Sequence, residues 1–164
     1  MQHSPRLVSF LLVAICAGIL TSCASLRLDT VDFGWPVESV QTVGSDNMVN
    51  EGRYAISFNV APLATEEFGD STALKGSTLR ILRGIQGYYF VTGPRFRSVY
   101  VFATGEGELT LHTRIEVYQQ SDGDQQRLSK PALNQRGSHV ELIDGSLTLK
   151  LNGDGIIESE GGDQ

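Results

Sequence analysis

Cysteine and basic charge are both scarce in this chain, and each shortage excludes a class of protein. Only two cysteines occur among 164 residues, so the sequence cannot build a disulfide-rich scaffold. Thirteen Lys and Arg stand against nineteen Asp and Glu, which gives a net charge of −6. A general nucleic-acid binder needs a basic surplus to neutralise phosphates, so the composition argues against that role. The length predicts one domain rather than two.

The sequence also lacks several recurring catalytic and metal-binding patterns. It has no G-x-S-x-G nucleophile elbow and no phosphate-binding Gly-Lys-Ser/Thr loop, and it holds only three histidines. His112 lies on the polar face of an alternating segment and His139 opens another, which is typical of solvated histidines. Residues 152–155 contain turn-forming pairs but have neither the first acid nor the spacing of a calcium loop. We therefore expect no catalytic residue, no metal site and no cofactor.

The one uncharged apolar run lies near the N-terminus. It covers residues 7–20, after Arg6 has supplied a positive charge. As a helix, these residues would be about 21 Å long, which is shorter than the roughly 30 Å hydrocarbon core of a bilayer. The run is therefore too short for a comfortable transmembrane helix and has the length of a signal-peptide apolar region.

A short motif follows this run directly: Leu20-Thr21-Ser22-Cys23, an aliphatic residue, two small residues and a cysteine. It resembles the lipobox of bacterial lipoprotein precursors. The resemblance covers only the leader and the cleavage point and identifies no family for the folded domain. It implies cleavage between Ser22 and Cys23, with acyl chains such as palmitate attached at Cys23. Ala24 follows in place of the Asp that favours inner-membrane retention, which implies the outer membrane where a cell has one. An ordinary secretory signal followed by an incidental cysteine is the alternative.

These features divide the chain into four segments. Residues 1–22 are the predicted lipoprotein signal peptide, and residues 23–34 form a lipidated tether. A β domain covers residues 35–154. The last segment, residues 155–164, is an acidic, glycine-rich tail that we expect to be disordered.

A period of two dominates the β domain and indicates strands with one buried face. It is clearest in residues 54–60, 108–118 and 146–151. Five further segments have strand-like composition: 37–43, 78–82, 88–92, 96–103 and 139–143. The prediction is an all-β fold, a single antiparallel domain of about eight strands that forms a sandwich or a small barrel. At most one short helix is expected, at residues 62–68.

Turn chemistry supports this fold. Asp144-Gly145 lies between the last two predicted strands and is the strongest hairpin signal, which we assign to a type I′ turn. Glycine-containing turns at 84–87, 93–95 and 105–107 join the strands between residues 78 and 118 into a meander. The polar stretch at 121–137 predicts a long loop.

Acidic residues are unevenly distributed along the chain. Residues 71–105 contain no Asp or Glu. The basic residues of this span form the candidate binding surface, which comprises Lys75, Arg80, Arg83, Arg95 and Arg97. Arginine interleaved with aromatic residues favours anionic headgroups, carboxylate-rich glycans or an acidic protein partner. The alternative is a central sheet, with aromatic rings in its core and arginines outside.

The sequence therefore predicts a lipid-anchored protein of the bacterial cell envelope, a non-catalytic binding or assembly module. Its expected contacts are the membrane, through acyl chains on Cys23, and another envelope protein or a cell-wall component, with no nucleic acid. Two alternatives stay open. One is a carrier of an apolar ligand in a barrel cavity, and the other is a small envelope hydrolase whose site the sequence does not reveal.

Replacing Cys23 by serine should abolish acylation, because a hydroxyl cannot form the thioether that attaches the lipid. Intact-mass spectrometry of protein from its native host should show a wild-type chain that starts at Cys23 and carries fatty acyl mass. The Cys23→Ser chain should carry none, while the matched control Cys16→Ser should remain acylated. A wild-type chain that keeps Met1, or that starts beyond residue 23 without an adduct, would contradict the prediction.

Overall fold

The computed structural model describes residues 37–105, 108–119 and 126–160. The predicted signal peptide and tether, with Ser22 and Cys23, lie outside the described residues, as does the end of the tail at 161–164. No helix within the described ranges is long and apolar enough to cross a membrane.

The described chain consists of eleven strands and one short helix. In order they are β1 (Ser39–Thr42), β2 (Met48–Glu51), β3 (Ile56–Asn59), α1 (Ala61–Phe68), β4 (Thr78–Arg83), β5 (Tyr89–Thr92), β6 (Ser98–Thr104), β7 (Leu109–Glu116), β8 (Ala132–Arg136), β9 (His139–Asp144), β10 (Leu147–Leu151) and β11 (Ile156–Glu160). All strand pairs are antiparallel, so the predicted all-β, antiparallel fold is confirmed.

The strands form three open sheets. The largest has the order β1-β4-β5-β6-β7, the second has the order β11-β10-β9-β8, and β2 and β3 form a separate hairpin. The meander predicted between residues 78 and 118 is confirmed as β4 to β7. Because none of these described sheets closes on itself, the architecture is sandwich-like and the small-barrel alternative is wrong.

The centre of the five-stranded sheet is buried on both of its faces. Every residue of β5 is buried, and so are the first five residues of β6. These strands lack the polar alternation of a half-exposed strand and instead carry nearly continuous apolar residues. Burial of each large apolar side chain stabilises the fold by roughly 1.5–3 kcal/mol. The sheet is therefore the central layer of the domain, and other elements must cover each side of it.

The β2–β3 hairpin and α1 cover one face of this sheet. Phe58 of β3 packs against Phe102 of β6, with ring centroids 6.3 Å apart. Tyr54, just before β3, meets Tyr89 of β5 edge to face at 5.6 Å. These aromatic pairs each add about 0.5–1.5 kcal/mol beyond the area that they bury. They fix the hairpin over the end of the sheet where β5 begins and β6 ends.

The four-stranded sheet covers the other face. Glu38 links the two sheets, since its carboxylate accepts hydrogen bonds from Arg80 Nη1 and from the backbone N–H of Leu133, both at 2.7 Å. Gly84 lies between the layers, where a Cβ would come within 3.2 Å of Phe90 and 3.5 Å of Val140. A void beside these residues measures only about 10 Å³, the space of one water.

Helix α1 is confirmed where the sequence predicts it. Pro62 lies in its first turn, where a missing N–H does no harm, and Asn59 Oδ1 accepts from the N–H of Ala61. Gly69 ends the helix with a φ of 73°, a left-handed conformation that favours glycine, and its N–H donates to Thr65 O.

Three strands are present that the sequence analysis did not predict: β2, β8 and β11. β8 lies inside the stretch 121–137 that was predicted to be a loop, and β11 lies inside the predicted tail 155–164. The β domain therefore does not end at residue 154. β8 and β11 are the edge strands of the second sheet. An edge strand gains its backbone pairs from one neighbour and can keep polar side chains in water, so alternation is a weak signal there.

The hairpin predicted at Asp144-Gly145 is present, but its turn lies one residue later. Asp144 pairs with Leu147, so Gly145 and Ser146 are the central residues, and only Gly145 has a positive φ. The assignment to type I′ was therefore wrong. Asp144 stays in β9 because its carboxylate accepts hydrogen bonds from the backbone N–H groups of residues 129 and 130, at 2.9 and 2.6 Å.

A bulge at His112 interrupts the alternation of β7. Val101 pairs with Thr113 and Phe102 pairs with Leu111, which leaves His112 without an opposite residue. Leu111 consequently does not share the buried face of Ile115 and is 47% exposed. The bulge turns the histidine ring toward the second sheet.

The ring of His112 bridges the two sheets. It stacks on Tyr88 with centroids 4.8 Å apart, and its Nε2 lies 3.3 Å from Asp154 Oδ1. Gly153 lies directly against the same tyrosine ring, because a Cβ at this position would be only 2.6 Å from a ring carbon. The turn between β10 and β11 can therefore pack here only with glycine at position 153.

Gly153→Ala should lower the free energy of unfolding by about 1–3 kcal/mol, since the added methyl group clashes with the Tyr88 ring. Gly155→Ala is the matched control, because a Cβ there would meet no atom within 4 Å. It should change stability by less than about 0.5 kcal/mol. Urea denaturation of the two variants beside wild type measures both effects, and equal losses would contradict the packing described.

Candidate functional site

The structure distributes the five predicted basic residues over separate places. Arg83 is opposite Tyr89 at the start of β5, whereas Arg95 follows the end of that strand. Arg83 therefore lies at the end of the sheet where β5 begins, and Arg95 lies at the end where β5 stops. The five residue steps of the neighbouring strand β4 span about 17 Å, which gives the distance between these two ends. Arg80 is paired with Glu38. Lys75 is exposed in the turn before β4. The hydrogen bonds from Thr72 lower the pKa of the Asp70 carboxyl, and the positive charge of Lys75 makes a smaller contribution in the same direction.

Arg95 and Arg97 do lie together, and Arg127 joins them. Arg127 Nη1 donates to the carbonyl oxygen of Arg95 at 2.8 Å. The guanidinium groups of Arg95 and Arg127 both lie over the ring of Phe68, 5.1 and 5.4 Å from its centroid. Cation–π contacts of this kind contribute roughly 0.5–1 kcal/mol each at exposed sites. We call Arg95, Arg97, Arg127 and Phe68 the arginine surface.

Backbone pairing brings Arg127 to this place. The N–H of Arg95 donates to Leu128 O at 2.7 Å, and the N–H of Leu128 donates to Phe96 O at 2.8 Å. Arg127 is 32 residues from Arg95 along the chain and lies in the stretch that was predicted to be a loop. No local pattern in the sequence connects the two, so sequence reasoning missed it.

Arg95 adopts an unusual backbone conformation. Its φ is 69°, in the left-handed region that non-glycine residues seldom occupy. This geometry costs roughly 1–2 kcal/mol relative to glycine. Arg95 Nη2 donates to Ala73 O at 3.3 Å, which holds the side chain across the preceding turn. Backbone strain of this kind concentrates at functional sites.

Glu67 lies beneath the arginine surface and is its counter-charge. Its side chain is only 2% exposed. One carboxylate oxygen accepts from the backbone N–H of Arg97 at 2.9 Å and lies 3.9 Å from Arg97 Nε and 4.0 Å from Arg127 Nη1. The other oxygen accepts from the hydroxyl of Tyr100 at 3.2 Å. A buried charge requires such partners, and these four contacts hold α1 to Tyr100 of β6, to Arg97 just before that strand and to Arg127.

Tyr100 is a neutral donor in this cluster. Burial raises the pKa of its hydroxyl well above the ordinary value, and the negative charges of Glu67 and Glu66 raise it further. The hydroxyl therefore keeps its proton at physiological pH and donates a hydrogen bond to Glu67. Glu66 itself points outward and binds Arg114 Nη1 at 2.6 Å.

A groove of about 660 Å³ opens at the opposite end of the five-stranded sheet. It runs between β3 and the end of the β6–β7 hairpin. Its lining residues are Tyr54, Ala55, Ile56, Ser57, Phe58, Tyr89, Thr104, Gly105, Glu108 and Leu109. The sequence analysis identified none of these as site residues, because they come from four separate elements and share no motif.

Within the described ranges, no group of three His, Cys, Asp or Glu side chains is arranged to hold a metal ion. The chain as a whole matches no family model, no curated protein and no solved structure.

Glu67→Gln should lower the free energy of unfolding by about 1–3 kcal/mol, because the amide cannot accept from both the Arg97 N–H and the Tyr100 hydroxyl as the carboxylate does. Glu66→Gln removes the same charge from the neighbouring, exposed position and should cost less than about 0.5 kcal/mol. Chemical denaturation of both variants makes the comparison. A Glu67→Gln protein as stable as Glu66→Gln would contradict the role assigned to Glu67.

Proposed function

We propose that this protein is a lipid-anchored, non-catalytic binding or assembly module of the bacterial cell envelope that binds carboxylate groups of a partner through the arginine surface. The observation that carries the binding role is the convergence of Arg95, Arg97 and Arg127 beside Phe68. The location rests on the lipobox at residues 20–23, and the position of Ala24 favours the outer membrane.

Charge balance supports an acidic partner. Arg97 and Arg127 share one buried carboxylate, Glu67, and Arg95 adds a third guanidinium group, so the arginine surface keeps a positive excess. Guanidinium forks match the two oxygens of a carboxylate and form charge-assisted hydrogen bonds with it. The partner would be another envelope protein or a carboxylate-bearing component of the cell wall.

The arginine surface is also pre-oriented. Phe68 supports two guanidinium groups, Glu67 aligns a third, and the carbonyl oxygens of Ala73 and Arg95 fix two of the side chains. Side chains held in one conformation before binding lose less entropy when a partner arrives. Arginine and aromatic residues are the types that most often dominate binding energy at interfaces.

The proposed anchor makes this modest surface sufficient. Each buried acyl CH₂ contributes about 0.8 kcal/mol, so two or three chains on Cys23 would hold the protein at the membrane stably. Confinement to one surface raises the effective concentration of a partner that shares it. The small hydrolase stays a prediction from the sequence. The apolar-ligand carrier was expected to use a barrel cavity, and none of the described sheets closes into a barrel.

The double variant Arg95→Ala/Arg127→Ala should reduce recovery of the partner at least about tenfold, which corresponds to 1.4 kcal/mol of lost binding free energy. Recovery is measured by quantitative mass spectrometry after cross-linking the full-length protein in native membranes. Arg53→Ala/Arg136→Ala removes the same charge elsewhere and should leave recovery unchanged. If every cross-linked protein or glycan is recovered equally from both double variants, the arginine surface is not the binding site.

A further inference from the structure

The large apolar side chains that water reaches gather at one end of the domain. Six such side chains are well exposed among the described residues. Five of them lie at the end where β5 begins, away from the arginine surface, and we call these five the apolar end: Val37, Ile85, Leu111, Ile156 and Ile157. The sixth, Val40, lies farther along β1. Apolar side chains that collect in one exposed place mark a contact site, whereas singly scattered ones are ordinary.

Strand register places three of these side chains on the five-stranded sheet. One row of paired residues crosses that sheet at its end: Arg83, Tyr89, Phe102 and Leu111. Val37 lies at the same level, because Ser39, two residues further on, pairs with Ile81. Ile85 follows the row in the turn between β4 and β5 and is 60% exposed.

The second sheet brings its two isoleucines to the same end. Another row of paired residues crosses it: Gln135, Val140, Leu151 and Ile156. Gln135 Oε1 accepts from the N–H of Ile85 at 3.3 Å, which joins this row to the turn between β4 and β5. Ile157 is exposed at the register shift that follows, where it has no opposite residue in β10. Both layers therefore present apolar side chains at one end of the domain.

These side chains project from turns and strand ends and do not form a flat face. Ile85 lies in a turn, Ile156 begins β11, and Val37 precedes β1. A protein interface requires close shape complementarity, so a folded partner would need a matching pocket for each projection. Lipid headgroups and acyl chains rearrange around such projections, and binding to them scales with the apolar area that enters the bilayer. The shape therefore favours a lipid surface.

The charges that the structure describes at this end balance one another. The basic side chains are Arg53, Arg83 and Arg136, and the acidic ones are Glu108, Glu141 and Asp154. Complementary charge governs which partners approach a surface, so a balanced one disfavours a strongly acidic or strongly basic partner. It suits a zwitterionic headgroup such as phosphatidylethanolamine, which carries one charge of each sign.

The proposed lipid anchor is close to this end along the chain. The chain enters β1 beside Val37, which is 14 residues after Cys23. A segment of that length spans at most about 50 Å. Acyl chains on Cys23 would therefore hold this end of the domain near the bilayer, where confinement raises the effective concentration of lipid around it.

We propose that the apolar end rests on the lipid bilayer, with Ile85 and Ile157 inserted among zwitterionic headgroups. This rests on the lipid anchor of the proposed function, which brings the protein to the membrane but does not by itself orient it. Contact at the apolar end turns the arginine surface away from the membrane, where a partner can reach it. A protein that covers the apolar end is the rival occupant.

The test uses the full-length acylated protein in vesicles of phosphatidylethanolamine and phosphatidylcholine. The vesicles contain a phospholipid with a photoactivatable diazirine group high in its acyl chain. Irradiation joins this lipid to the residues that lie at that depth, and peptide mass spectrometry locates the adducts. We expect adducts at residues 84–87 and 156–157, and none at residues 68–75 and 93–97 beside the arginine surface.

The double variant Ile85→Ser/Ile157→Ser should reduce the yield of adducts on the domain at least about tenfold, because less apolar surface remains to enter the bilayer. Val40→Ser is the matched control. Val40 is 48% exposed but lies away from the apolar end, so this variant should keep the wild-type yield. High salt should also leave the yield unchanged, since apolar contact is not screened. Thermal unfolding checks that both variants are folded.

Three results would overturn the proposal: adducts spread evenly over both ends, adducts only beside the arginine surface, or an unchanged yield in the double variant. A protein cross-linked at residues 84–87 in native membranes, with no lipid adduct there, would establish the rival occupant. Intact mass reports the anchor separately. A chain with acyl mass but no adducts at the apolar end keeps its anchor and contradicts this proposal alone, whereas a chain without acyl mass contradicts the anchor.

Discussion

The central constraint on this fold is that β5 and β6 are apolar on both of their faces. A sheet that contains such strands cannot leave either side in water, so the chain must supply a cover for each. The four-stranded sheet covers one side, and α1 with the β2–β3 hairpin covers the other. The arginine surface and the groove lie on this second side. The arginine surface lies where α1 meets the start of β6, and the groove opens where the hairpin stops short of the β6–β7 end.

Buried and partly buried carboxylates join these layers in a recurring way. Glu38 accepts from a backbone N–H of β8, Glu51 accepts from the N–H of Tyr54 and the hydroxyl of Ser39, and Glu67 accepts from the N–H of Arg97. Each carboxylate thus satisfies both a backbone donor and a side-chain donor, and at least one of the two lies on a neighbouring element. Hydrogen bonds to charged groups are about twice as strong as neutral ones and have strict geometry. Apolar burial drives the layers together, and these acids fix how they are aligned.

Much of the fold could be predicted from period-two alternation, because a strand with one buried and one solvent-exposed face alternates apolar and polar residues. All eight predicted strands exist, and the helix before Gly69 ends where the glycine predicts. In edge strands such as β8 and β11 this alternation is a weak signal, since their pairing depends on a neighbouring strand. The bulge at His112 was equally invisible, because it is a property of the β6–β7 register and not of either strand alone.

The candidate site was predictable only in part, for a topological reason. The acid-free span 71–105 drew attention to Arg95 and Arg97, which do lie together, but a linear span cannot show that an antiparallel turn sends Arg83 to the far end of the sheet. Arg127 and Glu67 come from outside the span and reach the site through backbone pairing and helix packing. The groove needed the structure altogether, since its residues are ordinary in sequence and come from separate elements that only the fold brings together.

The placement of β1 has a mechanical consequence. The chain emerges from this strand beside Val37, whose carbonyl oxygen accepts from Arg53 and Tyr54 at the groove end, whereas the arginine surface lies at the other end. Tension between an attachment at the N-terminus and a partner on the arginines would therefore run lengthwise along β1. Its four residue pairs with β4 would be sheared all at once instead of being peeled apart singly. A domain held in this direction would resist stretching far better than one pulled across its strands.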